Sequence, residues 1–258
     1  MLNRIKDKTV LITGASSGIG AACAKEFASY GCRLILAARR VDRLEALRES
    51  LQSEFGIEIF VVGMDVTHAK QVEMVLNHLP EAYSEIDILV NNAGLALGLD
   101  NFIDDDPNNW ETMIETNIKG FLSVLRLISQ KMVRQGFGHI INIGSVAGVE
   151  SYAKGGVYCA TKHAVHAITQ SLREEMIEHG IKVSEILPGA VNTEFSQVRF
   201  HGNTERAEKV YDGFEPLQAE DIANLIVYTA NLPLHVNLAE SLILAGRQAR
   251  ATKVHRQG

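Results

Sequence analysis

Short apolar runs recur along the chain, and each is followed by a stretch with the periodicity of an amphipathic helix. The runs are nearly continuous and lack the alternation of a half-exposed strand, so both faces of each strand must be covered. Helices between successive strands favour parallel pairing, because parallel strands need a long crossover connection. The predicted strands are residues 9–13, 33–37, 58–62, 86–90, 139–143, 182–187 and 241–244. The sequence therefore predicts an α/β fold with a doubly wound, seven-stranded parallel sheet.

The same pattern predicts helices and one irregular segment. The helices are residues 19–30, 42–55 (with Asp42 as a cap), 121–135, 158–179 and 219–232. Residues 192–216 are the least regular part of the chain, and they would cover the carboxyl ends of the strands, where such sheets bind ligands. We expect this segment to act as a mobile lid. The chain has no linker-like stretch or internal repeat, so residues 1–258 are predicted to form a single domain.

Composition limits the class of protein. The 258 residues are 46% apolar and 22% charged, which is typical of a globular chain with a sizeable core. A formal charge of −6 argues against a general nucleic-acid binder. The odd count of cysteines (Cys23, Cys32 and Cys159) favours free thiols and a reducing compartment. The sequence shows neither a signal-peptide pattern nor an apolar run long enough to span a membrane, so we expect a cytoplasmic protein with no membrane partner.

A glycine-rich turn follows the first predicted strand and opens the first helix. Glycines there permit a tight turn and let the backbone approach a pyrophosphate at the helix N-terminus. A plain strand-to-helix connection would have the same composition, but the position of the turn favours a dinucleotide site. The residues predicted to bind the cofactor here are Gly14, Ser16, Ser17, Gly18, Ile19 and Gly20.

Two arginines, Arg39 and Arg40, follow the second predicted strand. A site for NAD has a carboxylate here to hold the ribose 2′-hydroxyl, whereas guanidinium groups suit the 2′-phosphate of NADP. Each charge-assisted hydrogen bond contributes roughly 1.5–3 kcal/mol, which corresponds to a preference of about tenfold or more. The alternative is a pair of exposed arginines in a loop. We predict NADP(H) as the cofactor.

Tyr158 and Lys162 are four residues apart in a predicted helix, so their side chains share a face. Half-ionising a phenol near pH ~7.5 requires its pKa to fall by about 2.5, at a cost of roughly 3.4 kcal/mol. A neighbouring cation in a partly dry cleft can supply this. Ser145 ends a predicted strand upstream. The pair therefore suits proton transfer to or from a substrate oxygen.

Taken together, these motifs resemble the short-chain dehydrogenase/reductase family over nearly the whole chain. The matching residues are 13–20, Asn91-Asn92-Ala93-Gly94, Asn117, Ser145, Tyr158-x-x-x-Lys162 and Pro188-Gly189. The resemblance implies a Rossmann-type subunit that transfers hydride directly between a nicotinamide and a CH–OH carbon, with no metal. It also implies further cofactor contacts at Asp65, Val66, Asn91, Ala93, Gly94, Tyr158, Lys162, Pro188, Gly189, Val191 and Thr193.

The resemblance assigns a catalytic tetrad to Asn117, Ser145, Tyr158 and Lys162. Ser145 would bind the substrate oxygen, and Tyr158 would donate or accept its proton. Lys162 would lower the pKa of Tyr158 and hold the nicotinamide ribose. Asn117 would anchor a water that links Lys162 to solvent.

Within the family, the chain is most similar to NADP-dependent 3-hydroxy acid dehydrogenases that act on serine, allo-threonine and related small acids. The matching stretches are residues 87–98, 110–114, 193–200 and 202–203. Arg199, in the predicted lid, could pair bidentately with a substrate carboxylate. Alternatively it could order the lid through an ion pair, or contact a neighbouring subunit. Ser145, Tyr152 and Phe195 are the other predicted substrate contacts, and Lys154 is a further pocket candidate.

Other functions remain open from the sequence. A sulfonated aldehyde presents an anion much like a carboxylate, so sulfoacetaldehyde reduction is an alternative. A 3-oxoacyl carrier-protein reductase should carry a basic docking patch, and the sequence has no clear one. A regulator that binds NADP without turnover would be expected to lack Tyr158 or Lys162.

Three further features bear on metals and partners. His163 and His166 share a helix face, but without a third ligand pattern we predict no metal site. The family resemblance implies that the long apolar helices 121–135 and 158–179 pair between subunits in a homo-oligomer, with a homotetramer favoured and a dimer as the alternative, although the pattern alone would equally suit core helices. The C-terminal tail, residues 245–258, is predicted either to reach another subunit or to be a solvated end.

Overall fold

The computed structural model describes residues 2–257. Within them, seven parallel strands form one sheet, as the sequence predicts. The strands of this sheet are β1 (Thr9–Thr13), β2 (Arg33–Ala38), β3 (Ile59–Gly63), β4 (Ile88–Asn91), β5 (His139–Ile143), β6 (Lys182–Pro188) and β9 (Glu240–Ile243). Their order across the sheet is β3-β2-β1-β4-β5-β6-β9. Two short strands, β7 (Val191–Asn192) and β8 (Leu217–Gln218), pair separately.

Helices cover both faces of the sheet. They are α1 (Gly18–Ser29), α2 (Val41–Phe55), α3 (Ala69–Asn77), α4 (Pro107–Ile114), α5 (Phe121–Gln135), α6 (Gly156–Met176), α7 (Glu194–Arg199), α8 (Thr204–Lys209) and α9 (Ala219–Ala230). Alternate residues of β1 face opposite layers: Ile12 packs with α1, α2 and α9, whereas Leu11 packs with α3, α5 and α6. Both side chains are fully buried, which accounts for the uninterrupted apolar runs.

The structure differs from the sequence predictions at several element ends, and it contains two helices, α3 and α4, that were not predicted. Asp42 is not the cap of α2, because Arg40 takes the cap position and Asp42 lies in the first helical turn. The last strand begins one residue earlier than predicted, at Glu240. The predicted irregular segment 192–216 contains two six-residue helices, α7 and α8. These helices begin at side-chain caps, Thr193 and Asn203, and are too short to show a clear apolar period.

The strand order places a crevice at the carboxyl edge of the sheet. The chain crosses from the β1–β2–β3 side to the β4–β5–β6 side between β1 and β4, and ligands bind parallel sheets at such a switch point. All three cysteines are free and buried. Among the described residues, no helix is both long and apolar enough to cross a membrane.

Candidate active site

A cleft of about 670 Å³ opens at this edge of the sheet. Its walls contain most of the residues predicted to bind a cofactor. These are Gly14, Ser16, Ser17, Gly18, Ile19, Arg39, Arg40, Asp65, Val66, Ala93, Gly94, Tyr158, Lys162, Pro188, Gly189, Val191 and Thr193. The predicted substrate residues Ser145, Tyr152, Phe195 and Arg199 line the same cleft. The structure thus brings the two predicted groups together.

Two predicted cofactor residues, Gly20 and Asn91, are not among the lining residues. A side chain at Gly20 would collide with the Gly14 carbonyl, so this glycine allows α1 to pack under the turn. Asn91 is buried, and its amide donates to the Phe121 carbonyl. Both residues shape the wall of the cleft from behind. Asn92, which belongs to the predicted Asn91–Gly94 motif, does line the cleft, and it donates through Nδ2 to the Thr13 carbonyl.

The glycine-rich turn has a backbone that only glycine adopts readily. Gly14 and Gly18 have φ angles of 66° and 53°, in the left-handed region. The turn leads directly into α1, so the helix N-terminus points into the cleft. Unpaired amides and the helix dipole at such an end favour an anionic phosphate.

A cluster of cationic and polar side chains lies beside this turn. Arg40 donates to Ser16 Oγ at 3.2 Å and to Ser17 Oγ at 2.7 Å. It also pairs with Glu194 at 3.0 Å, and Arg43 pairs with the same carboxylate at 2.7 Å. Hydrogen bonds from Arg43 and Arg40 lower the pKa of Glu194. Neither Arg43 nor Glu194 was predicted as a site residue, although Arg43 lies one helical turn after Arg40.

Arg39 is exposed at the end of β2, close to Asp65. Burial of Asp65 opposes its ionisation, but two hydrogen bonds from Thr67 and the charge of Arg39 prevail and lower its pKa. Thr67 donates through its backbone N and its Oγ1 to Asp65 Oδ1, at 3.0 and 2.8 Å. The loop after β3 is therefore fixed next to the guanidinium of Arg39.

The predicted catalytic side chains converge in the centre of the cleft. Ser145 follows β5 and caps a short 3₁₀ turn, its Oγ accepting from Ala147 N at 3.1 Å. Tyr158 lies in the first turn of α6 and is buried, and Lys162 lies on the same face one turn later. Lys162 Nζ donates to the Ile143 carbonyl at 2.9 Å. Serine, tyrosine and lysine therefore meet where β5 ends.

Burial dominates the pKa values of both titratable groups. Burial raises the pKa of Tyr158 and Tyr152 adds to the effect, while the Ser145 hydroxyl and the Arg199 charge act in the opposite direction. Burial lowers the pKa of Lys162 to about 8, and the charge of Glu185 opposes this. The sequence predicts Lys162 as the cation that lowers the pKa of Tyr158. That role of Lys162 stays a prediction, and the structure adds a second cation: the Arg199 guanidinium lies 5.7 Å from the tyrosine ring centroid, and its charge acts to lower the pKa of Tyr158.

Asn117 lies in a single π-helical turn, Glu115–Gly120, between α4 and α5. Such turns widen a helix locally and recur at functional sites. The amide donates to the Leu95 carbonyl at 2.7 Å and accepts from Leu95 N at 2.8 Å. It also donates to Thr161 Oγ1 at 3.2 Å. A side chain at Gly94 would lie 3.2 Å from Asn117 Oδ1 and 3.7 Å from Lys162 Nζ, so the amide and the ammonium share one corner of the cleft.

Arg199 joins three walls of the predicted substrate pocket. Its Nε donates to the Gly98 carbonyl at 3.0 Å, and its Nη1 donates to the Tyr152 hydroxyl at 3.2 Å. Its Nη2 is buried, and within residues 2–257 it has no hydrogen-bond partner. The Phe195 ring meets the edge of Tyr158 at 5.7 Å between centroids. The pocket therefore presents an unsatisfied cationic donor next to the candidate catalytic phenol.

The C-terminal tail, predicted either to reach another subunit or to be a solvated end, lines the cleft of its own chain. Ala251 N donates to Glu150 Oε2 at 2.9 Å, and Gln257 N donates to the Gly213 carbonyl at 2.8 Å. The Arg256 guanidinium lies 5.4 Å from the Phe214 ring centroid. The tail packs on the predicted lid of its own chain, through backbone and stacking contacts that sequence periodicity does not reveal.

The two histidines of α6 have separate environments. His163 contacts the Cys159 carbonyl through Nδ1 at 2.9 Å and is exposed. His166 contacts Glu185 at 2.7 Å, and Glu240 lies nearby. Gln170 and Arg173 donate to Glu240 at 3.2 and 3.0 Å, so this group is a hydrogen-bonded network that already contains a cation. The absence of a metal site stays a prediction.

Comparison with known proteins gives consistent matches. The family model described as short chain dehydrogenase matches residues 8–204. The chain is 42% identical over 257 residues to an NADP-dependent 3-hydroxy acid dehydrogenase from Schizosaccharomyces pombe, covering 99% of both chains. It is 43% identical over 241 residues to sulfoacetaldehyde reductase 2 from Chromohalobacter salexigens, covering 93% of this chain and 95% of that one. Its structure is similar to the closed form of serine dehydrogenase complexed with NADP+, with a TM-score of 0.89, 40% identity, and coverage of 96% and 100%.

Proposed function

This chain belongs to the short-chain dehydrogenase family, and on that premise we propose that it is an NADP-dependent oxidoreductase of small 3-hydroxy acids. It interconverts a 3-hydroxy acid with its 3-oxo acid or semialdehyde. The dehydrogenase from Schizosaccharomyces pombe, whose name gives this activity and this cofactor, supports the proposal along nearly the full chain.

The cleft fits a phosphorylated dinucleotide. The left-handed backbone at Gly14 and Gly18, and the start of α1, suit a pyrophosphate. Arg39 and Arg40 are the candidate ligands of the 2′-phosphate, with Arg43 behind them. The remaining cofactor contacts are proposed to be Ser16, Ser17, Ile19, Asp65, Val66, Ala93, Gly94, Tyr158, Lys162, Pro188, Gly189, Val191 and Thr193, with Gly20 and Asn91 supporting them from behind. When bound, NADP(H) supplies or accepts the hydride.

The chain's own residues transfer the proton and stabilise the charge that develops on the substrate oxygen. In reduction, the Tyr158 phenol gives its proton to the substrate oxygen, and in oxidation the phenolate takes it back. The Ser145 hydroxyl donates to the same oxygen and stabilises negative charge there. The Lys162 ammonium, next to the end of β5, favours the ionised phenol. Asn117 fixes the corner beside Lys162 through its bonds to Leu95.

The observation that carries the substrate class is the unpartnered Nη2 of Arg199. A buried guanidinium N–H without an acceptor is costly, and an anionic substrate would satisfy it. The Tyr152 hydroxyl and the Gly98 carbonyl already accept from the other two guanidinium nitrogens, Nη1 and Nε. The orientation of the unpaired Nη2 is therefore fixed before a substrate binds. Phe195, against the ring of Tyr158, closes the apolar side of the pocket and favours a short carbon chain.

Sulfoacetaldehyde reduction is the second candidate. A sulfonate also accepts hydrogen bonds from a guanidinium, and the reductase from Chromohalobacter salexigens is 43% identical to this chain. The chemistry at Tyr158 would be the same for both substrates.

The test is oxidation of NADPH, followed at 340 nm, with malonic semialdehyde, sulfoacetaldehyde, an acetoacetyl thioester and a neutral aldehyde of similar size. L-Serine and 3-hydroxypropionate are assayed with NADP+ in the oxidative direction. We expect the carboxylates to give the highest kcat/KM. Preference for sulfoacetaldehyde would select the second candidate, and tight NADPH binding without turnover of any compound would contradict both.

Residues 192–216 are proposed to act as a lid over this pocket. The segment contains Arg199, and its Glu194 is tied to Arg40 beside the cofactor cleft. Cofactor binding should therefore order it. Amide hydrogen exchange with and without NADP+ tests this, and equal protection in both states would argue against a lid.

The protein is further proposed to be a cytoplasmic homo-oligomer, with a tetramer favoured over a dimer. The support is the family resemblance, which implies that the helices corresponding to α5 and α6 pair between subunits, and Leu122, on α5, is 39% exposed. Light scattering on a size-exclusion column measures the oligomeric state, and a monomer at micromolar concentration would contradict the proposal. Cell fractionation tests the compartment.

A further inference from the structure

A buried carboxylate lies behind the candidate catalytic lysine. Glu185, in β6, has no exposed side-chain surface, and its Oε2 accepts a hydrogen bond from His166 Nδ1 at 2.7 Å. Its Oε1 is also buried, and in the described part of the chain it lacks a hydrogen-bond partner. A buried carboxylate with one unpaired oxygen costs stability unless a nearby cation compensates.

That oxygen faces the peptide on which Lys162 rests. Lys162 Nζ donates to the Ile143 carbonyl at 2.9 Å, and a side chain at the next residue, Gly144, would collide with Glu185 Oε1. The ammonium and the carboxylate therefore approach the Ile143–Gly144 peptide together. Ser145, the candidate oxyanion donor, is the residue that follows.

The charges of the two groups affect each other. Burial lowers the pKa of Lys162 and the charge of Glu185 raises it. Burial raises the pKa of Glu185, whereas the hydrogen bond from His166 and the charges of His166 and Lys162 lower it. Glu240, on β9, is the other titratable neighbour, and Arg173 binds it. From β5, the neutral Asn142 is the register partner of Glu185.

We propose that Glu185 is a positioning residue whose carboxylate, held by His166, keeps the ammonium of Lys162 charged and seated on the Ile143 carbonyl. The role of Lys162 in turnover rests on the proposed function, but the electrostatic coupling itself does not. His166 is partly exposed and Glu185 is not, so the pair also joins the solvent to the base of the catalytic corner.

The coupling is measured without a substrate. The protein is labelled with ¹³C-lysine, the Lys162 signal is assigned by its loss in Lys162→Arg, and its shift is followed from pH 6 to 11. Removing a nearby negative charge disfavours the ammonium, so Glu185→Gln should lower the pKa of Lys162 by about one pH unit. Glu185→Asp keeps the charge and should restore most of the difference. Glu240→Gln removes one negative charge from the residue paired with Glu185 on the neighbouring strand β9, and it is the matched control.

A second readout connects the coupling to turnover. If Lys162 must be charged, the alkaline limb of kcat/KM moves down with its pKa, and Glu185→Gln loses roughly fivefold in kcat/KM at pH 8. NADPH affinity and melting temperature are recorded for each variant to identify misfolding. An unchanged pKa of Lys162 in Glu185→Gln, or an equal shift in Glu240→Gln, would overturn the inference. Lack of turnover by the wild-type enzyme would contradict the proposed function and leave the NMR result intact.

Discussion

The two halves of the cleft are built in different ways. The cofactor half comes largely from consecutive strand–helix units, with Gly14, Gly18 and Arg39 each directly following or opening a regular element. The substrate half is assembled from Gly98, Tyr152 and Arg199, which lie in three separate segments and meet through side-chain hydrogen bonds. The first half depends on backbone conformation, and the second depends on long-range pairs.

Because of this difference, substitutions should affect the two halves in different ways. A turn with left-handed glycines keeps its shape whatever binds there, because the conformation is set by the residues themselves. The guanidinium of Arg199 keeps its position only while Tyr152, Gly98 and the lid remain together. Substitutions in the substrate half should therefore change which substrate is used, and substitutions in the cofactor half should change which dinucleotide is used.

The largest expected effect is at the point where the halves meet. Tyr158→Phe removes the proton donor and keeps the ring against Phe195, so kcat should fall roughly 10²- to 10⁴-fold with little change in NADPH affinity. Steady-state kinetics and NADPH fluorescence titration measure the two quantities. Full turnover by this variant would refute the assignment of Tyr158 as the proton donor.

The second prediction tests whether Arg199 binds the anion in the substrate half of the cleft. Arg199→Ala removes a charge-assisted contact, so kcat/KM for an anionic aldehyde should fall roughly 10- to 150-fold, while a neutral aldehyde of similar size is nearly unaffected. The measurement is the ratio of the two kcat/KM values. Arg206→Ala is the matched control, because Arg206 lies in the same segment with its side chain 50% exposed. Equal losses for both aldehydes would mean that Arg199 orders the lid and does not bind the anion.

The third prediction, with a smaller effect, tests whether Arg39 sets the dinucleotide preference in the cofactor half of the cleft. Arg39→Ala should lower the preference for NADP over NAD by about tenfold, through weaker binding of the 2′-phosphate. The quantity is the ratio of kcat/KM for the two cofactors. Arg134→Ala, an exposed arginine in the last turn of α5, is the control. If the ratio were unchanged in Arg39→Ala, we would conclude that Arg40 and Arg43, and not Arg39, bind the 2′-phosphate.

The same contrast explains how far the sequence alone could predict the molecule. The strands, the glycine-rich turn and the helix face shared by Tyr158 and Lys162 follow from local patterns. The pair of Arg40 and Glu194 joins residues 154 positions apart, and no local pattern predicts it. The packing of the C-terminal tail on the lid is likewise a long-range contact, made partly by backbone groups.

Two of the helices that were not predicted, α4 and α7, begin with local sequence signals. Helix α4 begins with Pro107 after the cap Asp106, which accepts from Asn108 N, and this is a common start for a helix. Thr193 caps α7 in the same way, accepting from Phe195 N at 3.2 Å. The six-residue lid helices bury few side chains of their own and depend on the rest of the fold, so propensity alone could not define them.

The smallest expected effect tests whether the substrate half depends on its supporting contacts. Tyr152→Phe removes the hydroxyl that holds Arg199 Nη1 at 3.2 Å but keeps the ring 5.8 Å from the guanidinium. Loss of one hydrogen bond of about 1 kcal/mol should raise KM for an anionic aldehyde about fivefold and leave the NADP/NAD ratio unchanged. Tyr228→Phe, on the exposed face of α9, is the control. If Tyr152→Phe altered the dinucleotide preference as strongly as KM for the aldehyde, the two halves would be coupled through the lid, because Glu194 of that segment binds Arg40.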